Sequence, residues 1–238
     1  MTTHSATAAV VVAGGSGERF ERPEGKQLAP VAGWPVLCWS LRALDAAWQI
    51  GLIVVVCPAD RREEYEAEAV TPLGLATPVA FAVAGSTRQE SVLSGLAAVP
   101  REMTVVVVHD GARPLVTPDL ITGTIEALER SGADGAIAGH PSYDTLKLVE
   151  SGVVVETADR ERYWAVQTPQ AFKRSALENA HQAAVADGFV GTDDASLVER
   201  AGGRVVVVQG PRDNLKVTVP EDLAYVQAVL NHRREGLS

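Results

Sequence analysis

The chain has 238 residues, 46% of them hydrophobic and 21% charged, with a formal net charge of −9. That size and apolar content suit one α/β domain, here read as 1–238, and exclude a disordered chain. The acidic balance argues against nucleic-acid binding through a basic surface, but not against a small phosphorylated ligand held by a few local cations. Residues 1–7 lack the basic region and apolar core of a signal peptide. No run approaches the ~20 apolar residues of a membrane span, so a cytoplasmic protein without membrane contact is expected. Cys38 and Cys57 lie in apolar stretches and read as small buried hydrophobes, not as a disulfide scaffold.

The first apolar run, 8–13, leads straight into Ala13-Gly14-Gly15-Ser16-Gly17-Glu18-Arg19. A glycine-rich turn after a first strand lets backbone N–H groups approach phosphate closely. The Walker A spacing fails, because Gly25-Lys26 is followed by Gln27 and preceded at the first position by Phe20. The dinucleotide fingerprint fails too, because Phe20 stands where its third glycine is required. What remains is a glycine turn with two cations, Arg19 and Lys26, which suits a nucleoside triphosphate.

Further apolar runs cover 52–57, 79–83, 104–108, 135–138 and 205–208, all continuous rather than alternating. Such runs read as strands buried on both faces. Helical spacing fills 36–48, 61–69, 88–99 and 120–130 between them, and recurs over 173–187, 193–200 and 221–234. The alternation predicts a doubly wound, mostly parallel, Rossmann-like sheet. Ser86 suits a helix N-cap with Gln89 closing a capping box. Asp110 follows the strand at 105–108, where α/β sheets carry ligands, although a turn or capping aspartate would sit there too. His109 reads as a strand-end residue. The rhythm breaks after Gly139. Glu150-Ser151-Gly152 separates two apolar runs, 145–149 and 153–157, which predicts a hairpin within an inserted β-arm, 140–163. The run from Asp159 to Arg162 reads on its own as solvated loop charge.

Taken in order, several segments resemble one family. They are the glycine loop with Lys26-Gln27, then Gly85-Ser86-Thr87-Arg88-Gln89-Glu90-Ser91-Val92, His109-Asp110-Gly111-Ala112-Arg113-Pro114, Asp144-Thr145-Leu146-Lys147, Thr168-Pro169-Gln170, Thr192-Asp193-Asp194-Ala195 and Asn214-Leu215-Lys216-Val217-Thr218. Over 10–226 the chain is similar to the 2-C-methyl-D-erythritol 4-phosphate cytidylyltransferases of non-mevalonate isoprenoid biosynthesis. The resemblance implies a nucleotidyltransferase fold and attack of a phosphomonoester oxygen on the α-phosphorus of CTP, with loss of diphosphate. Catalysis would then be positioning and charge neutralisation.

By the same resemblance, Arg19, Lys26 and Lys216 neutralise the triphosphate, and Mg2+ is the cofactor, held mainly by CTP phosphates rather than by protein ligands. Ala13, Gly14, Gly15, Gly17, Gly85, Ser86, Ser91 and Asp110 are implied for CTP. Arg113, Thr145, Thr168 and Thr192 are implied for the polyol phosphate. Arg160 would reach the substrate phosphate from a partner subunit, in a homodimer joined through the β-arm. The chain departs from the family at Gly25, where Pro is usual, which loosens the loop. It departs again at Gly111, usually Ala, which removes a methyl group. Two rivals share the loop. A cytidylyltransferase for another polyol phosphate, such as ribitol 5-phosphate, would differ around Arg113, Arg160 and Thr192. A sugar-1-phosphate nucleotidyltransferase would differ around Gly85 and Ser91. A non-catalytic nucleotide sensor is disfavoured, because Arg19, Lys26 and Lys216 are all kept.

Overall fold

The computed structural model describes residues 6–15, 20 and 25–235. In chain order the elements are β1 (Thr7–Val12), α1 (Gly25–Leu28), β2 (Pro30–Val31), β3 (Trp34–Pro35), α2 (Val36–Asp45), β4 (Ile50–Cys57), α3 (Arg62–Tyr65), β5 (Val79–Val83), α4 (Arg88–Ala97), β6 (Val105–Asp110) and α5 (Pro118–Ser131). They continue with β7 (Gly135–Pro141), β8 (Lys147–Glu150), β9 (Val153–Thr157), β10 (Trp164–Lys173), α6 (Arg174–Asp187), α7 (Asp194–Arg200), β11 (Val205–Gln209) and α8 (Asp222–Glu235).

Seven strands form the main sheet in the order β11-β7-β10-β6-β1-β4-β5. The expected runs are all strands, and their continuous apolar character has a simple cause. Ala9, Val11, Val55 and Val107 face one hydrophobic core, while Ala8, Val10, Val54, Val106 and Val108 face a second. Both sides of the sheet are covered, so no side of a strand can be polar. The helical stretch expected at 61–69 is one turn of α3 running into a π-helical segment, Glu66–Val70, ahead of Pro72.

The sequence reading missed the short strands β2 and β3 and one strand of the main sheet, β10, which runs antiparallel to its neighbours β6 and β7. It sits between β6 and β7 although it contains Pro169, which cannot donate to a ladder. The register explains how. Val166 pairs with Gly139 and Gln170 with Ile137, so residues 167–169 stand opposite a single residue of β7. This bulge frees Pro169 from the ladder and turns Gln167 and Thr168 toward the end of β6. The expected hairpin is present as β8 and β9, paired with each other in a separate two-stranded sheet.

Candidate active site

Strands β1, β4, β5, β6 and β7 run parallel, so their C-terminal ends share one edge, and antiparallel β10 begins there. Val12 pairs with Asp110, which sets the end of β1 beside the end of β6. Beyond β1 the chain must pass the end of β5. A Cβ on Gly14 would stand 2.1 Å from the Ala84 Cβ, so only glycine fits. Ala13 is buried behind this edge, its N–H donating to Val56 O at 2.8 Å and its carbonyl accepting from the Tyr65 hydroxyl at 3.0 Å. Gly17 and Arg19 lie outside the described residues. Gly25 opens α1 at φ +67°, which proline cannot adopt, so a proline at this position would need a different backbone. Lys26 follows, with Nζ 4.0 Å from where a Gly15 Cβ would be.

Two cavities open along the edge. One, of about 330 Å³, is walled by Gly14, Gly15, Lys26, Gly85, Ser86 and Ser91. The other, of about 440 Å³, is walled by Arg113, Thr168, Gln170 and Thr192. Arg88, Asp110 and Lys216 line both.

Asp110 is the hub of that shared wall. Its Oδ2 lies 2.9 Å from Lys216 Nζ and 3.7 Å from Arg113 Nε, and its Oδ1 lies 3.1 Å from Arg88 Nε. Burial, the largest influence, would raise its pKa. Arg88, Lys216 and Arg113 outweigh it and hold the carboxyl well below the usual range. Arg88 reaches a second buried carboxylate, with Nη1 2.7 Å from Asp194 Oδ2. Asp194 Oδ1 accepts from His181 Nε2 at 2.9 Å, and both residues are buried. Burial again opposes ionisation of Asp194, and Arg88 and His181 again prevail.

The turn before α4 is built by a capping box one residue later than expected. Thr87, not Ser86, is the N-cap and accepts from Glu90 N at 3.1 Å; Glu90, not Gln89, closes the box. The Glu90 carboxylate takes the Ser86 N–H at 2.8 Å and the Ser86 hydroxyl at 2.5 Å. Ser91 accepts from Gly85 N at 3.1 Å and donates to Thr87 O at 2.9 Å. Both serines shape the cavity wall and spend their hydroxyls doing so. Thr168 is also occupied: it accepts the Asp110 N–H at 3.0 Å and lies 3.1 Å from His109 Nδ1.

A family model, IspD: 2-C-methyl-D-erythritol 4-phosphate cytidylyltransferase, matches residues 7–232. The chain belongs to this family. The cytidylyltransferase of that name from Thermosynechococcus vestitus is 43% identical over 227 residues, covering 95% of this chain and 96% of its own. That of Bacillus velezensis is 40% identical, covering 93% and 94%. Among solved structures, 4-diphosphocytidyl-2C-methyl-D-erythritol synthase from Anaerococcus prevotii superposes with a TM-score of 0.84 at 27% identity, covering 94% of this chain and 98% of its own. The Thermus thermophilus cytidylyltransferase does so with 0.74 at 31%, covering 93% and 98%.

Besides Ala13, which lies behind the edge, two described residues implied for the site stand apart from both cavities of this cytidylyltransferase-family chain. Thr145 and Arg160 belong to the arm, where Arg160 Nη1 donates to Tyr143 O at 2.9 Å. Conversely, Arg88, Asp194 and His181 were not singled out in the sequence. Arg88 and Asp194 lie inside quoted motifs, but nothing local marks their pairing across more than a hundred residues. Asn214 was missed as well. Its side chain donates to Gln167 Oε1 at 3.1 Å and Thr168 O at 3.0 Å, which ties the Lys216 loop to the β10 bulge. Gly111 leaves no gap where the family has Ala. A Cβ there would stand 2.8 Å from Leu37 Cδ1, so the core already fills the space.

Proposed function

We propose that the chain transfers the cytidylyl group of CTP to 2-C-methyl-D-erythritol 4-phosphate and releases diphosphate. The observation that carries this is the pair of cavities sharing one cationic wall. Family membership supports the chemistry, and the geometry supports a division of labour. CTP takes the glycine-walled cavity and the polyol phosphate takes the neighbour, so acceptor oxygen and α-phosphorus meet at the shared wall. A new bond forms from phosphate oxygen to α-phosphorus while the bond to the bridging oxygen breaks. The electron pair leaves with diphosphate. The acceptor is already an anion, so no proton has to be removed first.

The work of the chain is then to neutralise and orient. Lys26 and Arg19 are assigned to the triphosphate. Lys216, steered by Asp110, is assigned to the point of transfer. Arg113 and Thr192 are assigned to the polyol phosphate, and Thr168 to holding Asp110 and the wall. The metal is assigned to Mg2+. Among the described residues no three His, Cys, Asp or Glu side chains gather to hold an ion, and Asp110 is already engaged by cations. The donor set therefore favours an ion carried by the phosphate oxygens of CTP, where it supplies further charge neutralisation.

The arm supports a homodimer. Leu148, Val153, Val154 and Val155 are each about half exposed or more, on a two-stranded hairpin that is marginal alone. A second copy would cover them and bring Arg160 and Thr145 to its partner's polyol cavity. The chain is proposed to act as one catalytic unit with the arm as its appendage, in the cytoplasm. Among the described residues, no helix is long and apolar enough to cross a membrane.

Diphosphate release measured with CTP, UTP, GTP and ATP against methylerythritol, ribitol and erythritol phosphates tests the reading. Turnover should require CTP with methylerythritol phosphate, stop in EDTA and return with added Mg2+. Faster turnover with ribitol 5-phosphate, or with another nucleotide, would reject it.

A further inference from the structure

From the shared wall a row of charged groups runs into the interior. Lys216, Asp110, Arg88 and Asp194 follow one another at 2.9, 3.1 and 2.7 Å, and His181 ends the row at 2.9 Å from Asp194. The members come from separate places: the loop before α8, the end of β6, the first turns of α4 and α7, and the middle of α6. We propose that Asp194 and His181 are positioning residues that act through Arg88 on Asp110 and Lys216. This rests on the reading of the site given above.

Arg88 divides its guanidinium between two carboxylates. A planar fork facing a single carboxylate takes both of its oxygens. Here the terminal Nη1 is drawn to Asp194 at the shorter distance, and Asp110 receives Nε through Oδ1 alone. Asp110 Oδ2 is thereby left to Lys216. Asp194 is held in turn from the far side. A carboxylate only accepts, so His181 Nε2 is the donor to its Oδ1. Asp194 is 1% exposed and His181 is fully buried, so water cannot replace either bond. Without Asp194, Arg88 would be free to clasp both oxygens of Asp110 and displace Lys216 from the point of transfer. Arg88 lines both cavities, so the pair sits outside the substrates' reach and still sets the geometry between them.

The test uses full-length enzyme. Wild-type turnover with CTP and methylerythritol phosphate is measured first and checks the underlying reading on its own. Asp194→Asn, which keeps shape but not charge, and His181→Leu are then assayed at saturating substrates. Each should lower kcat by about 3- to 30-fold, the range for residues acting through a contiguous network. KM for CTP should stay within about twofold. His181→Gln, which retains an N–H donor, should recover most of the loss. In an Arg88→Met background, adding Asp194→Asn should cost less than about twofold further, because the route of action is already cut. Thermal unfolding of every variant identifies simple loss of fold. If His181→Leu does not fold, Asp194→Asn and His181→Gln carry the test. Unchanged kcat in folded Asp194→Asn, or the full loss repeated in the Arg88→Met background, would overturn the proposal.

Discussion

Lys216 is held by a carboxylate that three cations keep ionised, which leaves it little freedom to wander from the shared wall. Truncating it to Ala removes the charge and also leaves Asp110 Oδ2 without its nearest donor. Turnover in Lys216→Ala should fall by about 10²-fold or more, the usual loss when a fixed charge facing the transition state is removed. Lys26→Ala should behave alike, because Lys26 stands over the glycine edge. Circular dichroism and thermal unfolding should match wild type in both; near-normal turnover in either folded variant would remove it from the site. Lys26 was legible in the sequence, because a cation beside a glycine turn is a local pattern; Lys216 was legible only through the family resemblance of Asn214-Leu215-Lys216-Val217-Thr218. Arg88 was not, since its meaning depends on Asp194, 106 positions later, and His181, 93 positions later. At Gly111 the sequence shows only a missing methyl group; that Leu37 fills the space is visible in the packing alone.

At the scale of elements, α4 carries the wall of the glycine-lined cavity on its first turn, and that turn depends on its cap. Thr87→Ala should lower stability in urea unfolding by about 1 kcal/mol, the typical cost of an N-cap. It should also raise KM for CTP, because the lost cap loosens the turn whose Thr87 backbone carbonyl anchors Ser91, which anchors Gly85. A stability loss with unchanged KM would separate the cap from the cavity. The buried parallel strands were legible because covering both faces of a sheet demands continuous β-branched runs. The capping box was displaced by one residue, since Ser86 and Thr87 are both good caps and only the backbone chooses between them. β10 was hidden by its own bulge. Gln167-Thr168-Pro169-Gln170 has neither alternation nor an apolar run, and the structure tolerates Pro169 in an interior strand only because residues 167–169 leave the ladder.

For the molecule as a whole, His109 links acidity to stability. It is fully buried, and burial pushes its pKa down to about 4, with Asp110 pulling the other way. A depressed folded value means that the unfolded chain takes up the proton first. The stabilisation is therefore complete above about pH 6.5 and is lost as pH falls toward 4, by about 3 kcal/mol at most. Urea midpoints should drop between pH 7 and 4.5, and His109→Asn should flatten that slope; parallel slopes would mean that His109 is not the group responsible. Toward pH 4 and below the loss continues, because Asp110 and Asp194 take up protons in the unfolded chain while the fold holds both carboxyls ionised. Assembly gives a second whole-molecule prediction. If the arms exchange Arg160 between sites, mixing inactive Arg160→Ala with inactive Lys26→Ala should restore part of the turnover, through heterodimers with one complete site. Verified heterodimers that stay inactive, or an active monomer in light scattering, would rule the exchange out.

The reversed direction of β10 has a consequence for how such a molecule can change over generations. The chain leaves the sheet at Pro141 and rejoins it at Trp164, its partner in the ladder, so the excursion starts and finishes at neighbouring points on the ligand side. A parallel strand in that position would oblige the chain to travel back beneath the sheet before re-entering. Here nothing needs rethreading when the excursion lengthens, shortens or changes its residues, and loop closure grows only slowly more costly with length. The seven-stranded frame and the two cavities can stay fixed while the arm between 141 and 164 drifts. The arm can therefore be revised by insertion and deletion without disturbing the wall that the two cavities share.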